Sequence, residues 1–229
     1  MSSFLNTYFV PRGLIVAMVG LFPVGTTMHS SHALLGKAAD VVQLPKPQTN
    51  GGKPLMRVLN KRKSIREYSE KELSKQVLSN LLWAASGINR TDTGKRTAPS
   101  AMNWQEIDIY VATSNGFFLY DAQKHQLQTI LKKDIRALTG TQNYVKTAPL
   151  NLVFVADFSK MGSILKEHKI FLSAANTGFI SQNVYLFCAS ENLATVVRAS
   201  VDKEKLAKLI GLNANQMITL AQSVGYPKG

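Results

Sequence analysis

Apolar residues return every three to four positions from Leu73 through Val77, Leu78, Leu81, Leu82 and Ala85, which predicts an amphipathic helix. Ser69-Glu-Lys-Glu72 just before it has the form of a capping box, and Gly87 closes the run. Residues 106–112 instead alternate, with Ile107, Ile109 and Val111 set against Asp108 and Tyr110, as a half-buried strand does. Ser114-Asn-Gly116 then turns the chain into 117–120, completing a hairpin. Residues 150–156 are almost wholly apolar and rich in β-branched side chains, which suits a central strand. A long helix over 166–190 is apolar on most of its sides, so its surface needs burial, here against a second subunit. A short strand at 194–197, a charged amphipathic helix at 202–210 and a last strand at 217–224 follow. That order predicts an α+β domain with a central, mainly antiparallel sheet flanked by helices. No G-x-G-x-x-G follows a strand and no Walker loop is present, so a doubly wound nucleotide fold is not expected.

The two ends of the pattern read differently. Residues 1–33 hold no Asp or Glu, a single arginine (Arg12) and an apolar run from Gly13 to Phe22, followed by Ser31-His-Ala33. This is the form of an export signal cleaved near Ala33, giving a periplasmic protein without lasting membrane insertion. An uncleaved amphiphilic anchor and a cytoplasmic location are the alternatives. Residues 34–54, with Pro45, Pro47 and the Gly51-Gly52 pair, read as an extended N-terminal arm, and 55–229 as the folded domain. Leu55, Val58 and Leu59 can start a short helix that carries the basic cluster.

Composition narrows the chemistry. Of 229 residues, 45% are hydrophobic, enough for a self-sufficient core. Cys188 is the single cysteine, which removes disulfides and multi-cysteine zinc sites and reads as core within Tyr185-Leu-Phe-Cys-Ala. A net charge of +13 would suit an anionic partner, but the cations are scattered and no nucleic-acid motif accompanies them. No Ser-His-Asp set or paired carboxylates stand in an apolar setting, and His125 and His168 lie in polar stretches. Arg62, Ser64 and Arg66 alternate, so an extended backbone would send them to one side with Lys63 opposite, a donor set for phosphate. A solvated basic loop is the plain alternative. Pro99-Ser-Ala-Met-Asn103-Trp-Gln105 pairs small residues with two carboxamides, which suits the polar edge of a planar heterocycle. Ala194-Thr-Val-Val-Arg-Ala199 ends a strand in a turn that either exposes backbone N–H groups or is simply buried.

Taken together, these segments resemble the nitroreductase family of FMN-dependent oxidoreductases. The resemblance runs from about Pro54 to Pro227 and is carried by Arg62-Lys-Ser-Ile-Arg66-Glu-Tyr, Leu82-Trp-Ala-Ala-Ser-Gly-Ile-Asn, Ala98-Pro-Ser-Ala-Met-Asn103, Asn176-Thr-Gly-Phe-Ile-Ser-Gln-Asn-Val, Thr195-Val-Val-Arg-Ala and Val224-Gly-Tyr-Pro. It implies a homodimer with FMN at the subunit interface and the long helix in the dimer core. It places Arg62, Ser64 and Arg66 on the phosphate and ribityl chain and the backbone of Lys63 against the flavin. Pro99, Ser100, Ala101 and Asn103 would reach a flavin across the interface, with Gln105 beside them. Val197, Arg198 and Ala199 would supply a turn whose N–H lies near flavin N5, and Lys228 would stand in for a phosphate-binding cation. No side chain is implied as catalytic. NAD(P)H would reduce the flavin, and a small acceptor such as a nitroaromatic or quinone would reoxidise it. The alternatives are a flavin-dependent dehydrogenase of a peptide or small metabolite, with Tyr144 or Lys146 as its catalytic candidates, and a non-catalytic flavin-binding protein. The segment between the 150–156 strand and the long helix is only about ten residues, where many relatives insert a helical excursion, so a shallow pocket is expected.

Overall fold

The computed structural model describes residues 40–229. The export signal read in residues 1–33, and the first part of the arm, lie outside the described residues.

Seven strands form one sheet in the order β1-β6-β5-β4-β7-β9-β8, and every pairing in it is antiparallel. They are β1 (Val41–Gln43), β4 (Ile107–Thr113), β5 (Gly116–Asp121), β6 (Gln126–Leu131), β7 (Leu150–Asp157), β8 (Ala194–Arg198) and β9 (Gln216–Gly225). A separate hairpin joins β2 (Ile88–Arg90) to β3 (Lys95–Arg96). Helices α2 (Lys75–Ser86) and α3 (Lys166–Glu191) cover one face, where Leu81, Leu82, Phe154 and Val184 are fully buried. Helix α4 (Lys203–Ile210) covers the other, packing Leu206 and Ile210 near Val153, Val155 and Ile218. β7 is central and apolar on both sides, as its composition predicts. β4 is less one-sided than its alternation suggested, because Tyr110 and Ala112 are buried in the α4-side core.

Three local expectations change. The capping box at 69–72 does not open α2. Ser74 is the cap and accepts from Val77 N at 3.2 Å. The chain around Ser69 is instead paired with the C-terminal tail, through Tyr68 against Pro227 and Ser69 N donating to Tyr226 O. Glu72 accepts from the Ser114 hydroxyl. Second, the extended arm is not separate from the folded domain, because β1 pairs with β6 and α2 holds the segment after it. Gln76 Nε2 and Ser79 Oγ donate to the carbonyls of Lys46 and Pro45, and Asn80 Oδ1 accepts from Gln48 N. Third, His125 is half-buried, bridging Ser79 Oγ at 2.7 Å and Tyr120 OH at 2.9 Å. Gly87 does end α2, though its φ is −74°. A Cβ there would stand 2.5 Å from Trp83, so close approach rather than a left-handed turn explains it.

Helix α1 (Leu55–Lys61) leads into the basic segment. Helix α3 buries Asn176, Ile180, Val184, Tyr185 and Cys188 on one side. Its other side exposes Phe171 (71%) and Phe179 (48%), with Ala175 one turn from each. Burial raises the Cys188 thiol pKa far above its ordinary value, as befits a core residue. No helix among the described residues is long and apolar enough to cross a membrane.

Candidate functional site

The basic segment leaves α1 extended and runs beside β8, where Ile65 N donates to Thr195 O at 3.0 Å. Tyr68 OH donates to Ile65 O at 3.0 Å and fixes the far side. At the centre stands Tyr185 of α3. Its hydroxyl is 2.8 Å from Ser64 Oγ and accepts from Val197 N at 3.1 Å, while the Arg62 guanidinium lies 5.2 Å over its ring. One phenol therefore ties Arg62, Ser64 and the start of the 197–199 turn into a single corner. Because Val197 supplies a hydrogen to Tyr185, the Tyr185 proton is free for Ser64, and the Ser64 proton is then free for a ligand. Sequence reasoning passed over Tyr185, whose setting in an apolar helical run reads as core.

Arg66 does not join that corner. It lines an open cleft of about 810 Å³ with Tyr68, Tyr144, Lys146 and Lys228. Lys228 is brought there by the tail, its N donating to Glu67 O at 3.3 Å. The Tyr68 and Tyr144 rings stand 6.2 Å apart. Lys63 lines a different cavity, of about 520 Å³, beside Tyr185 and Asn192.

The 197–199 turn splits by atom. Val197 N–H is spent on Tyr185, whereas Ala199 is exposed and its N–H has no acceptor among the described residues. The Arg198 side chain points into the core. It is 6% exposed and donates through Nη2 to Thr139 O, Thr139 Oγ1 and Asn151 Oδ1 at 2.9–3.1 Å. Burial lowers its pKa to about 10. Any ligand contact from Arg198 is thus a backbone contact.

The 98–105 loop is built under strain. Met102, Asn103 and Gln105 take φ of 51°, 55° and 51°, the left-handed region that costs a non-glycine residue about 1 kcal/mol or more. Ser100 closes the loop on itself, its O accepting from Asn103 N and its Oγ from Gln105 N, both at 3.0 Å. The Gln105 side chain faces the protein, with Oε1 accepting from Arg96 Nε at 2.8 Å and Nε2 donating to Gly94 O. Gln105 therefore holds the loop, while Met102 and Asn103 stand exposed at its tip. Below, Ala101 N donates to Asn176 Oδ1 at 3.3 Å.

These groups fall in two places on one chain. Asn176 under the loop and Tyr185 under the basic segment are nine residues apart on α3, about 13 Å along its axis. The carboxamide loop and the phosphate-type donors are thus held by different stretches of the same helix.

The comparisons agree with this architecture. The Nitroreductase family pattern matches residues 59–226. A candidate nitroreductase of Methanocaldococcus jannaschii is 31% identical over 158 residues, 64% of this chain and 79% of its own length. The crystal structure of a candidate nitroreductase from Ralstonia eutropha JMP134 is 40% identical with a TM-score of 0.80, over 85% of this chain and 93% of that one. An NADPH:FMN oxidoreductase from Vibrio harveyi, solved with NAD+, shares the fold at 19% identity and a TM-score of 0.58, over 76% and 69% of the two chains. The chain belongs to the nitroreductase family of oxidoreductases.

Proposed function

We propose that the chain works as a homodimer that binds FMN and transfers electrons from NAD(P)H to a small acceptor, a nitroaromatic, a quinone or a similar compound. The observation that carries this reading is the Tyr185 corner, where a guanidinium, a serine hydroxyl and a strand-end turn converge with hydrogen-bonding capacity to spare. The donor set fits FMN. Arg62 and Ser64 supply a charge-assisted fork and a hydroxyl for phosphate and ribityl oxygens, and Arg66 and Lys228 add cations along a neighbouring cleft. Ala199 N–H is left for a flavin ring nitrogen.

The rest of the ring edge would be read by a second copy. Asn103 sits at an exposed loop tip far along α3 from the corner, and Phe171, Ala175 and Phe179 form an uncovered apolar stripe on the same helix. Packing two such stripes together covers the stripe and supports bringing one copy's loop to the other's corner. When bound, FMN would supply the two-electron chemistry that no side-chain set among the described residues provides. The chain's own part is to orient the cofactor, neutralise its phosphate and offer backbone and amide donors to the ring.

Absorbance of the purified protein, before and after anaerobic NADH or NADPH, tests the reading. Flavin bands near 370 and 450 nm (about the values for any protein-bound flavin) that bleach are expected. A colourless protein that takes up no added FMN overturns it. A second reading, oxidation of a peptide or small metabolite, draws on the placement of Tyr144 and Lys146 in the cleft with Arg66. It predicts flavin that resists NAD(P)H but is bleached by the substrate.

A further inference from the structure

The strained loop has an anchor in the core. Glu106, just before β4, is fully buried, and its Oε1 accepts from Asn176 Nδ2 at 2.8 Å. Asn176, 3% exposed, uses Oδ1 to accept from Ala101 N at 3.3 Å. The orientation of the amide is dictated by Ala101, since a backbone N–H only donates and must face Oδ1, which leaves Nδ2 to donate to the Glu106 carboxyl oxygen. The result is a two-step relay from a buried carboxyl group to a backbone N–H inside the loop.

This arrangement is expensive for the fold. Glu106 has no salt-bridge partner among the described residues, and its Oε2 accepts no hydrogen bond from the protein. The nearby cation Arg96 directs Nε and Nη1 at Gln105 Oε1 and Ser86 Oγ and makes no ion pair with Glu106. An apolar side chain would fill the place at lower cost in desolvation. What the carboxyl group gains is the orientation of Asn176, and through it Ala101, the residue that precedes the left-handed pair Met102 and Asn103.

We propose that Glu106 and Asn176 are positioning residues that hold the 98–105 loop in its strained form and so present the Asn103 amide to the flavin. The proposal rests on the reading that this loop contacts FMN. Asn176 falls within a motif that carries the family resemblance, yet no role attaches to it there, and Glu106 falls outside all of those motifs.

The test exploits the polarity of the relay. Asn176→Asp sets a second carboxyl group against Glu106 and removes the donor, which releases the loop. Adding Glu106→Gln reverses the pair: the Gln amide donates to Asp, whose other oxygen still accepts from Ala101 N–H. In the full chain without flavin, hydrogen exchange at Ala101–Gln105 is expected to quicken about 10-fold in Asn176→Asp and to return within about twofold in the double variant. FMN affinity, read by flavin fluorescence quenching, and the visible spectrum of bound flavin should follow the same order. Unchanged exchange in Asn176→Asp, or a double variant no better than the single, overturns the proposal. If Asn176→Asp does not fold, Glu106→Gln against Glu106→Leu decides it. Retained protection in Gln and lost protection in Leu support the relay, and equal protection sinks it. A wild-type protein that binds no FMN defeats the functional reading alone, because the exchange data still judge the relay.

Discussion

The Tyr185 corner and the 98–105 loop reach out to the same kind of ligand by opposite means. At the corner the backbone is relaxed and extended, and one phenol from α3 holds two segments that lie more than a hundred residues apart in sequence. The loop is local in sequence but strained, with three left-handed non-glycine residues in four, and it needs Ser100, Arg96, Gln105 and Asn176 to keep its shape. A relaxed donor set can be complete within one chain. A strained loop that ends in an exposed methionine and a half-used carboxamide leaves its tip uncovered by the described residues, and strain of this kind persists where function selects it.

The sharpest way to break that asymmetry is at the uncovered stripe. Phe179→Asp puts a charge into the proposed α3 contact and should yield a monomer by analytical ultracentrifugation. FMN affinity should fall about 100-fold or more, because a charge placed in a desolvated interface costs several kcal/mol. The loop would then be intact but without a flavin to reach. A stable dimer with full affinity would show that the two halves are completed in another way.

Arg62→Ala comes next. Losing a charge-assisted contact to phosphate should weaken FMN by about 10- to 100-fold, and Arg62→Lys should recover only part, since the ammonium lacks the planar fork and the stacking on Tyr185. Fluorescence titration reads both. Equal loss in Ala and Lys would point to the fork, and full recovery in Lys to charge alone. Tyr185→Phe keeps the ring under Arg62 and removes only the hydroxyl that joins Ser64 to Val197. A loss of about 5- to 10-fold in affinity is expected, together with a small drop in Tm.

How much of this was legible depended on the range of the cause. Periodicity exposed α2 and the β4–β5 hairpin, whose burial is dictated by neighbours two to four residues away, and long apolar runs exposed β7 and α3. β6, Gln126-Leu-Gln-Thr-Ile-Leu, alternates too weakly to announce itself, and β1 exists because β6 offers it an edge. Ser69 reads as the cap in sequence, but the C-terminal tail occupies its backbone and Ser74 caps α2 instead. In the site, Arg62, Ser64 and the 98–105 loop could be picked out by residue type. Tyr185, Asn176 and Glu106 could not, since each acts through a partner nine or more residues away and sits among residues that read as core or strand start. The direction of Arg198 was hidden for the same reason, its acceptors Thr139 and Asn151 coming from elsewhere in the chain.

The smallest effect belongs to the clasp on the N-terminal arm, which shares no hydrogen bond with either region and serves as their control. Ser79 spends its only hydrogen on Pro45 O at 2.6 Å, so His125 must carry its proton on Nε2 and accept from Tyr120 OH at Nδ1. A second proton on the ring would set two donors face to face, and burial lowers the His125 pKa from its ordinary 6.5. The unfolded chain therefore takes up a proton that the folded chain refuses. Stability should fall as pH drops below about 6.5, and the fall should end once pH passes under the folded value. Asp134, held below the ordinary carboxylate range by hydrogen bonds from Arg136, loses its contribution in a separate and more acid window, below about 3.8. His125→Gln should be less stable at pH 7.5 yet flatter between pH 7 and 5 in thermal melts, with FMN affinity at pH 7.5 unchanged. A parallel pH profile in the variant would mean that the clasp on the N-terminal arm does not titrate, and altered affinity would mean that the arm reaches the flavin site after all.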